Sequence, residues 1–205
     1  RAAHEARLHR SSGQDGTSVG PPVANRGRAE LEGVVGCFTN ILALHTDVAG
    51  DPTFAELLAR VRAATLGAYA HQDVPFERLV EALGVERSLS HNPIFQVMLT
   101  LHPAAGREGW SLPGVTARGI ASDTGRARLD LLLGLSEVAD GIAGAVEYDT
   151  DFFDRETAGR MMAQLETLLE GVARDPGAPI SELPLLPEAE RRQVVEVWND
   201  TDRPY

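Results

Sequence analysis

The stretch His71-Gln72-Asp73-Val74-Pro75-Phe76-Glu77 stands between two segments of helical periodicity. Upstream, Phe54, Leu57, Leu58, Val61 and Leu66 recur at the spacing that gathers apolar side chains on one helix face. Asp51 is expected to cap that helix, with Pro52 at its first position. Downstream, Asp73 is expected to cap a second, short helix that begins near Pro75 and ends at Gly84. The heptapeptide therefore reads as a polar turn joining two helices.

Working outward, residues 34–47 read as a strand region, because Val34, Val35, Cys37, Phe38, Ile41, Leu42 and Leu44 suggest burial on both faces of a helix-covered sheet. Residues 1–10 read as the end of a helix with Ala2, Ala3, Ala6 and Leu8 inward, followed by a turn cluster over 11–16. Residues 17–24 read as a short strand broken by Pro21-Pro22, and 25–32 as a polar loop. Further strands are expected over 94–101, 115–120, 129–138 and 142–148, with a Gly- and Pro-rich loop over 103–113. Asp140-Gly141 marks a hairpin between the last two strands. Asp154 is expected to cap a helix whose Ala158, Met161, Met162, Leu165, Leu168, Leu169 and Val172 share one face and which stops before Pro176. The fold class is thus α/β, a mixed sheet flanked by helices. Composition shifts at Pro176-Gly177-Ala178-Pro179, so 1–175 is expected as one lobe and 176–205 as a proline-rich linker carrying a short helix over 188–198.

Composition removes several function classes. The formal charge of −11 opposes nucleic acid and anionic membranes, since both need concentrated positive charge. No apolar run approaches the roughly 20 residues of a membrane span. All 19 basic residues are arginine, which excludes a phosphate-loop lysine, a Schiff-base lysine and a lysine general base. Cys37 is the single cysteine, so no internal disulfide can form and a cytoplasmic location is expected. The six histidines and Cys37 show no metal-ligand spacing, and no cofactor fingerprint follows a strand. His71 beside Asp73 has the composition of an acid–base pair, yet the spacing and the capping role of Asp73 favour a structural reading. Ser136 lacks the flanking glycines of a nucleophile elbow. The elbow from Arg87 to Pro93 reads as turn chemistry in which Ser and Asn side chains satisfy nearby backbone. From the residues alone, no complete active site emerges.

Several motifs, in order, resemble condensation domains of nonribosomal peptide synthetases. His71 to Glu77 is similar to the family's His-Gln-Asp-x-Pro-Phe-Glu, and Val35-Gly36-Cys37-Phe38-Thr39-Asn40 to its glycine-Phe-Val-Asn strand, with Thr39 in place of valine. Arg87 to Phe95 resembles Arg-Asp-x-Ser-Arg-Asn-Pro, with Ser88 and His91 replacing the aspartate and second arginine. Ser11 to Arg26 resembles the segment from Ser-Gly-Gln-Asp to Pro-Val-Ala-Asn-Arg, and Leu183 to Tyr205 the linker into an adenylation domain.

The resemblance implies a chloramphenicol acetyltransferase-like lobe, the C-terminal one of two. It implies amide formation between a donor acyl or peptidyl thioester and an aminoacyl acceptor, both borne on phosphopantetheine arms of carrier proteins. Implied partners are the N-terminal lobe, the downstream adenylation domain, and the donor and acceptor carriers. The family's catalytic motif, His-His-x-x-x-Asp-Gly, has no counterpart here, because no His-His pair occurs. The chain is thus expected to hold no catalytic residue and to be inactive alone. Ala24, Asn25 and Arg26 are implied to line the substrate tunnel, with Arg26 pairing the aspartate of the absent motif. Asn40, His71, Asp73, Arg87 and Asn92 are expected to give structural support. The alternatives are a non-catalytic carrier-binding or scaffold lobe, and an epimerisation-type relative.

Overall fold

The computed structural model describes residues 1–86, 88, 91–103, 114–115 and 125–201. The expected loop over 103–113 and strand over 115–120 lie almost wholly outside these, as does Arg87. The chain divides into two compact units, Arg1–Thr17, His45–Ala70 and Asp154–Tyr205 in the first, Ser18–Leu44 and His71–Phe153 in the second.

The first unit is helical. Helix α1 (Ala2–Ser12) ends at Gly13, whose left-handed φ of 71° closes the last turn. It packs against α2 (Phe54–Tyr69) and α4 (Arg155–Arg174). Asp154 caps α4 as expected, accepting from Thr157 N at 2.6 Å. Asp51 does not cap α2. Thr53 does, in a capping box with Glu56. Asp51 instead adopts φ 46° and accepts from the backbone N and hydroxyl of Ser181. Of the expected stripe on α2, Phe54, Leu57 and Val61 are buried, whereas Leu58 and Leu66 are exposed.

The linker expected from Pro176 is, at its start, part of this unit. Phe54 N and Ala55 N donate to Ala178 O and Pro176 O, and Ile180 N donates to Pro52 O. Arg10 Nη1 donates to the carbonyls of Ile180 and Leu183, and both of those side chains are buried. A Cβ on Gly171 would stand 2.5 Å from Pro184 Cδ, so α4 and the strap meet through a missing side chain. Proline supplies extended backbone here, but hydrogen bonds from α2's first turn hold it. Beyond the strap, α5 (Glu188–Arg192) runs into a π-helical turn, Gln193–Val197.

The second unit is built on strands. At the end of β1 (Gly16–Val19), Val19 pairs in parallel with Val97 of β5 (Val97–His102). β5 runs parallel to β6 (Leu131–Val138), and β6 antiparallel to β7 (Gly141–Tyr148). The sheet is therefore mixed, as expected, and the hairpin closes at Val138 and Gly141. Leu131 and Leu133 fill its inner face, at 2% and 1% exposure. In the first unit, the start of β1 lies beside β4 (Leu44–Asp47), and Val48 N donates to Asp15 O at 2.6 Å.

The region over 34–47 departs from the expectation of one long buried strand. It holds β3 (Asn40–Ile41), paired antiparallel with β2 (Pro22–Val23), and then β4. Val34, Val35 and Cys37 are exposed, Val35 completely at 101%. Gly36 interrupts the run, and residues 34–39 pair with no strand among the described residues.

Candidate functional site

An open pocket of about 290 Å³ lies in the second unit. One wall comes from Phe38, Thr39, Asn40 and Ile41, the other from Asp73, Pro75, Phe76 and Glu77, with Asn25 at the side. Two segments with motif character thus meet in space. Asn40 joins them. Its Nδ2 donates to Gln72 O and Val74 O, both at 2.8 Å, and its Oδ1 accepts from Phe76 N at 3.3 Å. The last bond caps helix α3 (Phe76–Ala82), a task expected of Asp73. Asp73 makes no capping bond to the described residues of that helix. The first turn of a helix leaves its N–H groups without partners inside the helix, and here a side chain from β3 supplies the acceptor.

The 73–77 wall is also braced by aromatic packing. Phe76 meets Phe95 edge-on, with ring centroids 5.5 Å apart and planes at 61°. Phe95 lies against Gly20, where a Cβ would overlap its ring. Ile94, just before it, takes φ 72°, a left-handed conformation that costs a β-branched residue about 1–3 kcal/mol. Asn25, on the pocket's side, is also left-handed at φ 51°.

Arg26 is engaged within its own loop. Nη1 donates to Leu31 O and to Val34 O, the latter at 2.9 Å, and Nη2 to Gly36 O at 3.1 Å. The guanidinium also stacks 4.5 Å from the centre of the Phe38 ring. Pairing with a carboxylate of another lobe would have to displace or share these bonds. Asn92 is exposed and donates to Arg128 O at 3.1 Å, tying the elbow to the entry of β6. His71 is exposed and, like Ala24, does not line the pocket.

Of the eight residues expected in tunnel or support roles, the structure thus brings Asn25, Asn40 and Asp73 to one pocket, with Arg26 behind it. Sequence reasoning missed Phe38, Thr39, Ile41, Pro75, Phe76 and Glu77 as lining residues. Their motif membership was the available signal: the side chains flanking Asn40 and following Asp73 had to share whatever surface those two make.

The family model for the condensation domain matches residues 1–195. This chain belongs to the condensation-domain family. A linear gramicidin synthase polypeptide of Brevibacillus parabrevis is 44% identical over 206 residues, covering 100% of this chain and 4% of that protein. Phosphinothricin tripeptide synthetase PhsB of Streptomyces viridochromogenes is 43% identical over 203 residues, covering 98% of the chain and 17% of that protein. Among solved structures, the X-domain from teicoplanin biosynthesis, in complex with OxyB, is 35% identical with a TM-score of 0.78, covering 91% of this chain and 42% of that one. A four-domain nonribosomal peptide synthetase bound to AMP and glycine is 25% identical with a TM-score of 0.83, covering 93% of this chain and 16% of that one. The chain therefore spans a small part of the synthetases it matches and about two-fifths of that X-domain chain. The mixed sheet flanked by helices is the condensation-domain fold, as expected from the chloramphenicol acetyltransferase-like reading.

Proposed function

We propose that this chain is the C-terminal lobe of a nonribosomal peptide synthetase condensation domain that joins two carrier-borne substrates through an amide bond. The carrying observation is the Asn40 clamp, which brings the 36–40 and 71–77 motifs of the family into one pocket wall and its opposite. In the reaction, the acceptor amine attacks the donor thioester carbonyl. The C–N bond forms, the C–S bond breaks, and the proton leaving the amine is matched by the one gained by the departing pantetheine thiol. This lobe's part is to hold reactants at reacting distance, which lowers the entropic cost of the barrier. Proton handling belongs to the His-His-x-x-x-Asp-Gly motif of the other lobe, since the 205 residues contain no His-His pair. Phosphopantetheine arrives on the carriers, an adenylation domain follows the strap, and the assembly works in the cytoplasm. The likeness to an X-domain solved with OxyB favours one second reading, in which the lobe docks a partner and forms no amide.

The two separate in one assay. The intact synthetase is supplied with both carriers loaded, and product is followed by mass spectrometry. Amide-linked product on the acceptor carrier is the expected result. Loaded carriers that bind but stay unjoined would overturn the catalytic reading in favour of docking.

A further inference from the structure

Helix α1 is poorly satisfied at one end and carries a load at the other. Its first two turns are buried from Ala2 to Arg7, where the helix packs against α2 and α4. Both ring nitrogens of His4, Glu5 Oε2 and Arg7 Nε lie there without a hydrogen-bond partner among the described residues. No described carboxylate offsets the burial of the Arg7 cation. Each such group favours opening of the helix, because water satisfies it once it is exposed. Openings short of complete unfolding start where the closed state is least favoured.

The last turns of α1 hold the strap over 176–184. Arg10 Nη1 donates to Ile180 O at 3.3 Å and to Leu183 O. Between those carbonyls, Ser181 donates from N and Oγ to Asp51, whose carboxylate also feels the Arg10 charge. Apart from one isolated bridge between Thr53 and Pro179, the strap has no regular structure. Its placing therefore depends on bonds from α1, the start of α2 and Asp51. We infer that α1 is a latch that opens ahead of the surrounding fold and that, through Arg10, its opening frees the strap. The chain from Glu188 onward then gains freedom to move against α1, α2 and α4. One helix thereby sets how firmly this lobe grips whatever follows it.

The test is hydrogen–deuterium exchange with mass spectrometry on the intact protein, read over residues 2–12, 176–184 and 131–148. In wild type the first two segments should exchange together and faster than the third. Neither His4 nor Arg7 bonds the strap among the described residues, so substituting them acts on it only through the helix. Arg7→Met and His4→Leu should each slow exchange about tenfold, by the same factor in 2–12 and 176–184, and leave 131–148 within about twofold. In an Arg10→Met background the same two substitutions should slow 2–12 alone, because the link to Ile180 and Leu183 is gone. If Arg7→Met does not fold, His4→Leu completes the same cycle. A strap that ignores both substitutions in the wild-type background overturns the inference, as does one that still follows α1 without Arg10. So does a wild-type α1 that exchanges no faster than 131–148, or that neither substitution slows. Equal slowing of 131–148 would mean that the whole protein opens at once, and would overturn it too.

Discussion

Asn40 and the first two turns of α1 both place polar side chains among other protein groups, with opposite outcomes. The Asn40 amide makes three hydrogen bonds and organises two segments. In α1, six consecutive residues from Ala2 to Arg7 are buried, and three of them are His4, Glu5 and Arg7. Glu5 Oε1 accepts from Arg1 Nε at 2.8 Å and from Thr46 Oγ1 at 3.3 Å. By contrast, Glu5 Oε2, both ring nitrogens of His4 and Arg7 Nε have no partner among the described residues. Burial lowers the His4 pKa to about 3, with the Arg7 charge adding to the effect. Burial raises the Glu5 carboxyl, opposed by Arg1, and lowers the Arg7 guanidinium. The half-buried Asn40 meets a partner at every polar atom, whereas the low-dielectric surroundings of α1 penalise each group left unsatisfied. The first two turns of α1, buried from Ala2 to Arg7, have no solvent face on which to place such groups.

The contrast has a sign, and substitutions can break it. Asn40→Ala strands the Gln72 and Val74 carbonyls and the Phe76 amide, and should cost about 2 kcal/mol in urea unfolding of the intact protein. An unchanged midpoint would mean that water replaces the clamp freely. Arg7→Met keeps the length of the side chain and removes a buried cation that no described carboxylate pairs, so it should stabilise by about 1–2 kcal/mol. Destabilisation would show that Arg7 has a compensating partner in solution.

The smallest effect concerns pH. The folded pKa of His4, about 3, lies below its ordinary 6.5, so the unfolded chain takes up a proton that the folded chain refuses. Stability tied to His4 is present above the ordinary value and falls as pH drops below it, by about 1 kcal/mol between pH 6.5 and 5.5. His4→Leu should flatten that slope by the same amount. Identical slopes for the two proteins would show that His4 titrates normally in the fold.

Legibility followed the range of the interaction. The Asp154 cap, the Asp140-Gly141 hairpin and the Ala158, Leu165 and Leu168 line of α4 were readable because each depends on neighbours within a few residues, although Leu169, expected on the same face, is exposed. Even there, competition misled. Asp51 and Asp73 looked like caps, yet the Thr53 to Glu56 box was the stronger local signal for α2, and the acceptor for α3 came from Asn40 across the fold. Val34 and Val35 read as buried because apolar side chains favour leaving water, but composition does not name the element that would cover them. The proline-rich strap read as a linker because nothing in its residues announces the bonds from Arg10, Phe54 and Ala55 that bind it.

The principal helices, the β6–β7 hairpin, the mixed sheet, the family and the motifs of the site were determined by the sequence alone, since periodicity, turn chemistry and motif spacing are one-dimensional. That Asn40 clamps the 72–76 turn, that Arg26 serves its own loop, and that α1 buries charge was decided only in three dimensions. Hydrogen bonds and burial depend on which distant groups come within about 3 Å and on what excludes water there, and no local pattern encodes either.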